Sequence, residues 1–400
     1  MLLALASASA GSAQDRSNPL ILPPAVREAQ AGKHFKVAVT STDGRMAQLL
    51  RSAFSAHGGF TVVEAPEAQF TFRIDPGADN RAALRIFSGQ PPQLLHEESF
   101  RADSAVRAVL RAADRSVERT LGLPGFFAGE LLFTSDRAGG GKTDVYRSDL
   151  FFQSVRQVTR DGSVALTPRW SPDGQSVLYT SYHRSGFPDV FKVTLATGRR
   201  EVFAAYKGTN QGAAFSPDGR TVAMILSAPG NPELYIAQST GQNLKRLTEN
   251  ASIEQSPTWS PDGQRLAYVS DRLGGPQLYV MGLESRQERR IPTNISGYCA
   301  EPAWNPLDPT RLLFTGATSG SYQIGLFDFQ TAKARFLTKG PGDSVEATWT
   351  NDGRHAVFTR RSGDGQTKRL FLLDTLTGKT TALHSARFGN ASQPAFAYRP

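Results

Sequence analysis

Trp259-Ser260-Pro261-Asp262-Gly263 is one copy of a stretch that recurs at Trp170-Ser171-Pro172-Asp173-Gly174 and Phe215-Ser216-Pro217-Asp218-Gly219. Weakened copies stand at Trp304-Asn305-Pro306 and Trp349-Thr350-Asn351-Asp352-Gly353, and the five aromatics step by 45, 44, 45 and 45 residues. In each copy the aromatic closes one strand, a tight turn follows, and a strand with period-two alternation, such as Ser176-Val177-Leu178-Tyr179-Thr180-Ser181, comes next. The turn chemistry is specific: Pro presets φ near −65°, Asp accepts a backbone hydrogen bond, and Gly takes a positive φ. A unit of this kind repeated at about 40–45 residues is a four-stranded propeller blade, with the aromatic packed between neighbouring blades.

The second-strand position recurs at Phe133, Tyr179, Met224, Tyr268, Phe314 and Phe358, which counts six blades. Third strands read at Asp189-Val190-Phe191-Lys192-Val193, Glu233-Leu234-Tyr235-Ile236, Gln277-Leu278-Tyr279-Val280 and Arg369-Leu370-Phe371-Leu372-Leu373, and a fourth at Lys245-Arg246-Leu247-Thr248. The first copy, Gly129 to Ser135, has no aromatic motif ahead of it, whereas Ser392-Gln393-Pro394-Ala395-Phe396 is an orphan first strand. The last residues are therefore expected to supply the innermost strand of blade one and so remove the open edges of the ring.

Residues 35–121 read differently. Phe35 to Thr40 is strand-like, Met46, Leu49, Leu50 and Phe54 follow helical spacing, strands return at 60–64 and 70–74, and 104–121 carries Val106, Val109, Leu110, Ala113 and Val117 on one helical stripe. The fold class is thus mainly β, a six-bladed β-propeller preceded by a small N-terminal α/β domain. The expected divisions are a signal peptide at 1–13, an N-terminal arm at 14–33, the α/β domain at 34–122 and the propeller at 126–400. The apolar run Leu2 to Ala10, with small residues at Gly11 and Ala13, suits export and cleavage, although it lacks the basic start of a full signal peptide. No later run reaches the ~18 apolar residues of a membrane-spanning helix, so no transmembrane segment is expected.

The net charge of +9 is scattered rather than clustered, and Arg199-Arg200, Arg289-Arg290 and Arg360-Arg361 fall beside turns, which argues against nucleic acid as a partner. The single cysteine, Cys299, forms no internal disulfide and reads as a half-buried small apolar residue. Of the six histidines, His34, His57 and His96 precede the propeller, while His183, His355 and His384 fall near strand ends of separate blades, with no metal-ligand spacing. Gly139-Gly140-Gly141-Lys142-Thr143 lacks the leading glycine and following helix of a phosphate loop, and reads as a blade loop.

Taken together, an export signal, a small α/β domain, Leu121-Gly122-Leu123-Pro124-Gly125-Phe126-Phe127, Ser-Asp-Arg at 135–137 and 270–272, the repeated turns and a terminal Pro394-Ala395-Phe396 resemble the TolB family of exported propellers of the Tol-Pal system. The resemblance covers most of the mature chain, with departures in the degenerate fourth and fifth repeats and in a closing motif without Trp. It implies a non-catalytic, monomeric periplasmic scaffold without cofactor. Its propeller would bind a peptidoglycan-associated lipoprotein and its N-terminal arm an inner-membrane Tol protein. On that resemblance the partner docks on the loops leading into the innermost strands, here Thr209, Asn210, Gln211 and Gly212; Glu254, Gln255 and Ser256; Tyr298 and Glu301; and Ser344 and Glu346. Their small, amide and acidic side chains suit hydrogen bonds to a partner backbone.

Two other classes stay open. A sugar-acid lyase or lactonase would need metal ligands converging from several blades, and a recognition propeller for another envelope protein or a glycan would use the same loops. A prolyl-oligopeptidase-like hydrolase is excluded, because no Gly-x-Ser-x-Gly elbow exists in the chain.

Overall fold

The computed structural model describes residues 32–399, so the export segment and most of the arm lie outside the described residues. In the N-terminal domain, β1 (Phe35–Thr40), β2 (Phe60–Val62), β3 (Phe70–Gly77), β4 (Arg81–Ser88) and β5 (Gln93–Arg101) form one sheet in the order β2-β1-β3-β4-β5. β1 runs parallel to β2 and β3, and the remaining pairs are antiparallel. Helix α1 (Gly44–Ala56) packs on β1 and β2, helix α2 (Ala105–Leu121) packs on β3 to β5, and the two helices touch each other. Each helix starts where a side chain takes up an orphan amide: Asp43 accepts from Met46 N at 3.0 Å and Ser104 from Arg107 N at 3.2 Å. α2 ends at Gly122, whose φ of 67° is the left-handed cap that glycine reaches without strain.

Six four-stranded antiparallel sheets follow. Blades two to six take their strands in chain order, while in blade one the innermost strand Ser392–Ala397 pairs with Glu130–Ser135, ahead of Asp144–Asp149 and Val155–Gln157. The repeated turn does the same work in blades two, three and four. In blade two, Ser171 Oγ accepts from Ser176 N at 2.9 Å and donates to Asp173, whose Oδ1 accepts from Gln175 N at 2.9 Å, and Gly174 sits at φ 66°. The aromatics tie blades together, since the indole N–H groups of Trp170, Trp259 and Trp349 donate to Ala395 O, Ala214 O and Ala303 O of the preceding blades at 2.9–3.0 Å. Trp304 instead bonds Pro309 O in its own altered turn.

Strands in a meander alternate direction, so the loops joining strands one to two and three to four share one face of the propeller. The loops joining two to three, and one blade to the next, share the other. The N-terminal domain sits on the first of these faces. Asn351 Nδ2 donates to Gly125 O at 2.9 Å, His355 Nε2 lies 2.7 Å from His57 O, and Lys379 Nζ donates to Ser55 O at 2.6 Å. Arg354 clasps Asp374 through two bonds of 2.9 and 2.8 Å, and a Cβ on Gly58 would fall 2.1 Å from Asp374 Oδ2. Burial alone would raise the Asp374 carboxyl, yet the Arg354 clasp and the neighbouring His355 hold it at about 2. The linker is fixed by Asp114 of α2, which accepts from Phe127 N at 2.6 Å, Ala128 N at 3.0 Å and Tyr398 OH at 2.9 Å. Phe126 and Phe127 carry one continuous hydrophobic core from the α/β domain into blades one and six.

Candidate functional site at the propeller channel

The innermost strand of every blade carries a bulge at the same place, where its register against the second strand shifts. Three residues before the aromatic, the backbone turns left-handed: Thr167 (φ 48°), Gly212 (66°), Ser256 (51°), Glu301 (52°), Glu346 (60°) and Gln393 (55°). These six form a ring around the channel. A positive φ costs a β-branched residue such as Thr167 most, and its recurrence in all six blades shows that sheet geometry imposes it.

Half of the ring is closed by its own side chains. Glu301 Oε2 accepts from Glu346 N at 2.8 Å, Glu346 Oε2 from Gln393 N at 2.9 Å, and Gln393 Oε1 from Thr167 N at 2.9 Å. Second-strand hydroxyls brace the same oxygens, Thr315 on Glu301 and Thr359 on Glu346, each at 2.7 Å. Glu346 also pairs with Arg361 at 2.5 Å. Burial, then the charge of Glu346, pushes the Glu301 carboxyl above its ordinary range. In the other half Thr167, Gly212 and Ser256 are too short to hand over in this way.

Below the ring lies a cavity of about 600 Å³, lined by all six bulge residues, the four tryptophans, Arg169 and Tyr398. Arg169 stands one residue before its aromatic, where the other blades carry Ala214, Thr258, Ala303, Thr348 and Ala395. Its Nη1 donates to Pro168 O at 3.0 Å, and among the described residues it has no ion-pair partner. It is open to the lumen, yet deep enough that desolvation by the surrounding protein is the main influence on its charge and pulls its pKa down, opposed by Glu301 and Glu346.

The residues singled out from sequence divide into three groups. Gly212, Ser256, Glu301 and Glu346 line the cavity. Thr209, Gln211, Gln255 and Tyr298 lie at the mouth on the face away from the N-terminal domain, with Tyr298 against Tyr322 at 5.1 Å between ring centres. Asn210, Glu254 and Ser344 do not face a partner at all; each is buried five residues before its aromatic. Asn210 Nδ2 is consumed by Tyr206 O at 2.9 Å and neighbouring acceptors, and Glu254 Oε1 by Ser270 at 2.9 Å and Arg272 at 3.2 Å. Cys299 occupies the same position and is fully rather than half buried, for the same reason. Thr167, Gln393 and Arg169 were missed, though the fixed offset from the aromatic marks all three.

The histidines also need correcting. His355 and His384 belong to one blade, the sixth, and His355 meets His57 across the domain seam. The ligand-type atoms of His57, Asp352 and His355 lie within 4.8 Å of one another. His355 Nδ1 sits 2.6 Å from Asp352 Oδ2, His355 Nε2 lies 2.7 Å from His57 O across the seam, and His57 Nδ1 accepts from Gly59 N at 3.3 Å, while His57 Nε2 is buried with no hydrogen-bond partner among the described residues. Burial, then His355, drives His57 well below its ordinary value, which keeps its ring neutral in the seam.

Residues 117–398 match the PD40 family, described as TolB beta propeller domain. The Tol-Pal system protein TolB of Anaeromyxobacter sp. (strain K) is 30% identical over 292 residues, 64% of this chain, and the chain spans 65% of that relative's length. The Tol-Pal system protein TolB of Desulfosudis oleivorans is 34% identical over 144 residues, 36% of this chain and 32% of its own. Among solved structures, TolB from Acinetobacter baumannii superposes with a TM-score of 0.81 at 23% identity, covering 91% of this chain and 97% of that one. That likeness extends through the N-terminal domain as well as the propeller.

Proposed function

The chain belongs to the TolB beta propeller family, and from that premise we propose that it is a non-catalytic periplasmic scaffold of the Tol-Pal type. Its partner, a peptidoglycan-associated lipoprotein, docks on the channel mouth turned away from the N-terminal domain. The observation that carries this reading is the contrast between the two faces. One carries the α/β domain, docked on blades one and six. The other exposes large apolar side chains on its loops, Phe187 at 64% and Leu273 at 65% exposure, with Tyr206, Ile253 and Tyr322 beside them. Apolar side chains grouped around a polar mouth are what a protein-binding face presents.

The second partner, an inner-membrane Tol protein, would engage the arm at 14–33, which lies outside the described residues apart from its last two positions. No helix among the described residues is long and apolar enough to cross a membrane.

The test is a pull-down of the mature chain from detergent-solubilised envelopes of its own source, beside a Thr209→Arg, Gln255→Arg double variant. Wild type is expected to recover the lipoprotein and the folded variant to lose it. Recovery of another envelope protein or a glycan in its place would move the reading to a different recognition propeller.

A further inference from the structure

Arg169 is the outlier of the channel. At its level the five other blades carry only Ala or Thr, and four of those five residues line the same cavity. A guanidinium has five N–H donors; here one nitrogen reaches Pro168 O and no carboxylate lies within ion-pair distance among the described residues. The two acids of the lumen are occupied elsewhere, Glu346 with Arg361, Thr359 and Gln393 N, and Glu301 with Thr315 and Glu346 N. The guanidinium is open to the lumen and none of its nitrogens is held by a carboxylate among the described residues, so it is free to take an anion from solution, whereas every sister blade has a small residue at that position.

We propose that Arg169 and the cavity beneath the bulge ring form a binding site for a ligand bearing a single carboxylate, held by the planar fork of the guanidinium. The fork matches a carboxylate through two parallel N–H bonds. A monoanion fits better than a phosphate dianion, because two glutamates already share the lumen with one free arginine. The volume, about 600 Å³, suits a small molecule or a few residues of peptide, and the indole and phenol rings around it take the apolar part.

The fold supplies its own control and its own reporter. Arg169→Ala installs the residue that three sister blades already have, so the variant keeps the fold. All four tryptophans of the chain line this cavity, so intrinsic tryptophan fluorescence reports on it alone. The full mature chain is titrated with hexanoate and phenylacetate, with an acetylated dialanine bearing a free or an amidated C-terminus, and with inorganic phosphate. Saturable changes are expected with the carboxylates, weakened about 10- to 100-fold in Arg169→Ala and less in Arg169→Lys, as loss of a charge-assisted bond implies.

Saturation by the free peptide terminus and not its amide would identify a chain end as the source, and saturation by the simple acids alone a free metabolite; either supports the site. An unchanged titration in Arg169→Ala, no saturation by any carboxylate, or tighter binding of phosphate overturns it. Loss of this titration with lipoprotein capture intact sinks the carboxylate site alone, and loss of capture with titration intact sinks the scaffold reading alone.

Discussion

The two faces of the propeller use similar residues to opposite effect. At the seam, Arg354, Asp374, Asp352 and His355 are buried and bonded to one another or across to the N-terminal domain. At the open mouth, Gln211 and Gln255 make no side-chain hydrogen bond among the described residues, and Phe187 and Leu273 stand in solvent. The difference teaches where cohesion and recognition reside. Polar groups that have found partners inside the chain hold domains together, whereas those left without partners are free to meet another molecule.

The sharpest way to break the contrast is at the seam. Arg354→Ala leaves the Asp374 carboxylate buried without its cation, and is expected to cost about 3–5 kcal/mol, read as a lower urea midpoint. A loss under about 1 kcal/mol would show the seam to be no tighter than the open face. Asp114 offers a test by pH. Burial lifts its carboxyl from 3.8 to about 7 against the pull of three hydrogen bonds. The folded chain therefore binds an extra proton between these values, so this group's contribution is greatest near pH 4, is lost as pH rises through about 7, and stays lost above. The urea midpoint of wild type relative to Asp114→Asn should fall over that window, and a constant difference would contradict it.

The bulge ring gives a smaller contrast within the channel. Glu346→Ala removes an acceptor from Gln393 N and Thr359 and should destabilise by about 1–2 kcal/mol, while Ser256→Ala in the short half stays within about 0.5 kcal/mol. Equal losses would show that the hand-over of hydrogen bonds contributes nothing. Smallest of all, Gln255→Arg alone should leave the midpoint within about 0.5 kcal/mol and still weaken lipoprotein capture.

The fold was legible because the turn needs Pro, Asp and Gly together, so even worn copies keep the step of 44 or 45 residues. The site was only half legible. The loops were located from their place before each aromatic, but a run such as Asn210-Gln211-Gly212 places successive side chains in different surroundings. Position −5 from the aromatic holds Ala165, Asn210, Glu254, Cys299, Ser344 and Ala391, and every one is buried. Nothing in that mixture signals an interior, since Glu254 reads as a surface acid until Ser270 and Arg272 are seen to meet it. The role of His57 is hidden from the sequence for a related reason. It lies 298 residues from His355, and only the docking of two domains brings them together.

The closing strand of blade one has a consequence for the order of events in biosynthesis. Thr134 bonds Ser392, 258 residues further on, so the first blade to emerge is the last to be completed. A chain delivered from its N-terminus holds five finished blades and one unpaired edge until residues 392–397 arrive. During that interval the edge at Glu130–Ser135 is open to any extended peptide. A delay in synthesis or export near the end of the chain would therefore be the most hazardous one for this protein.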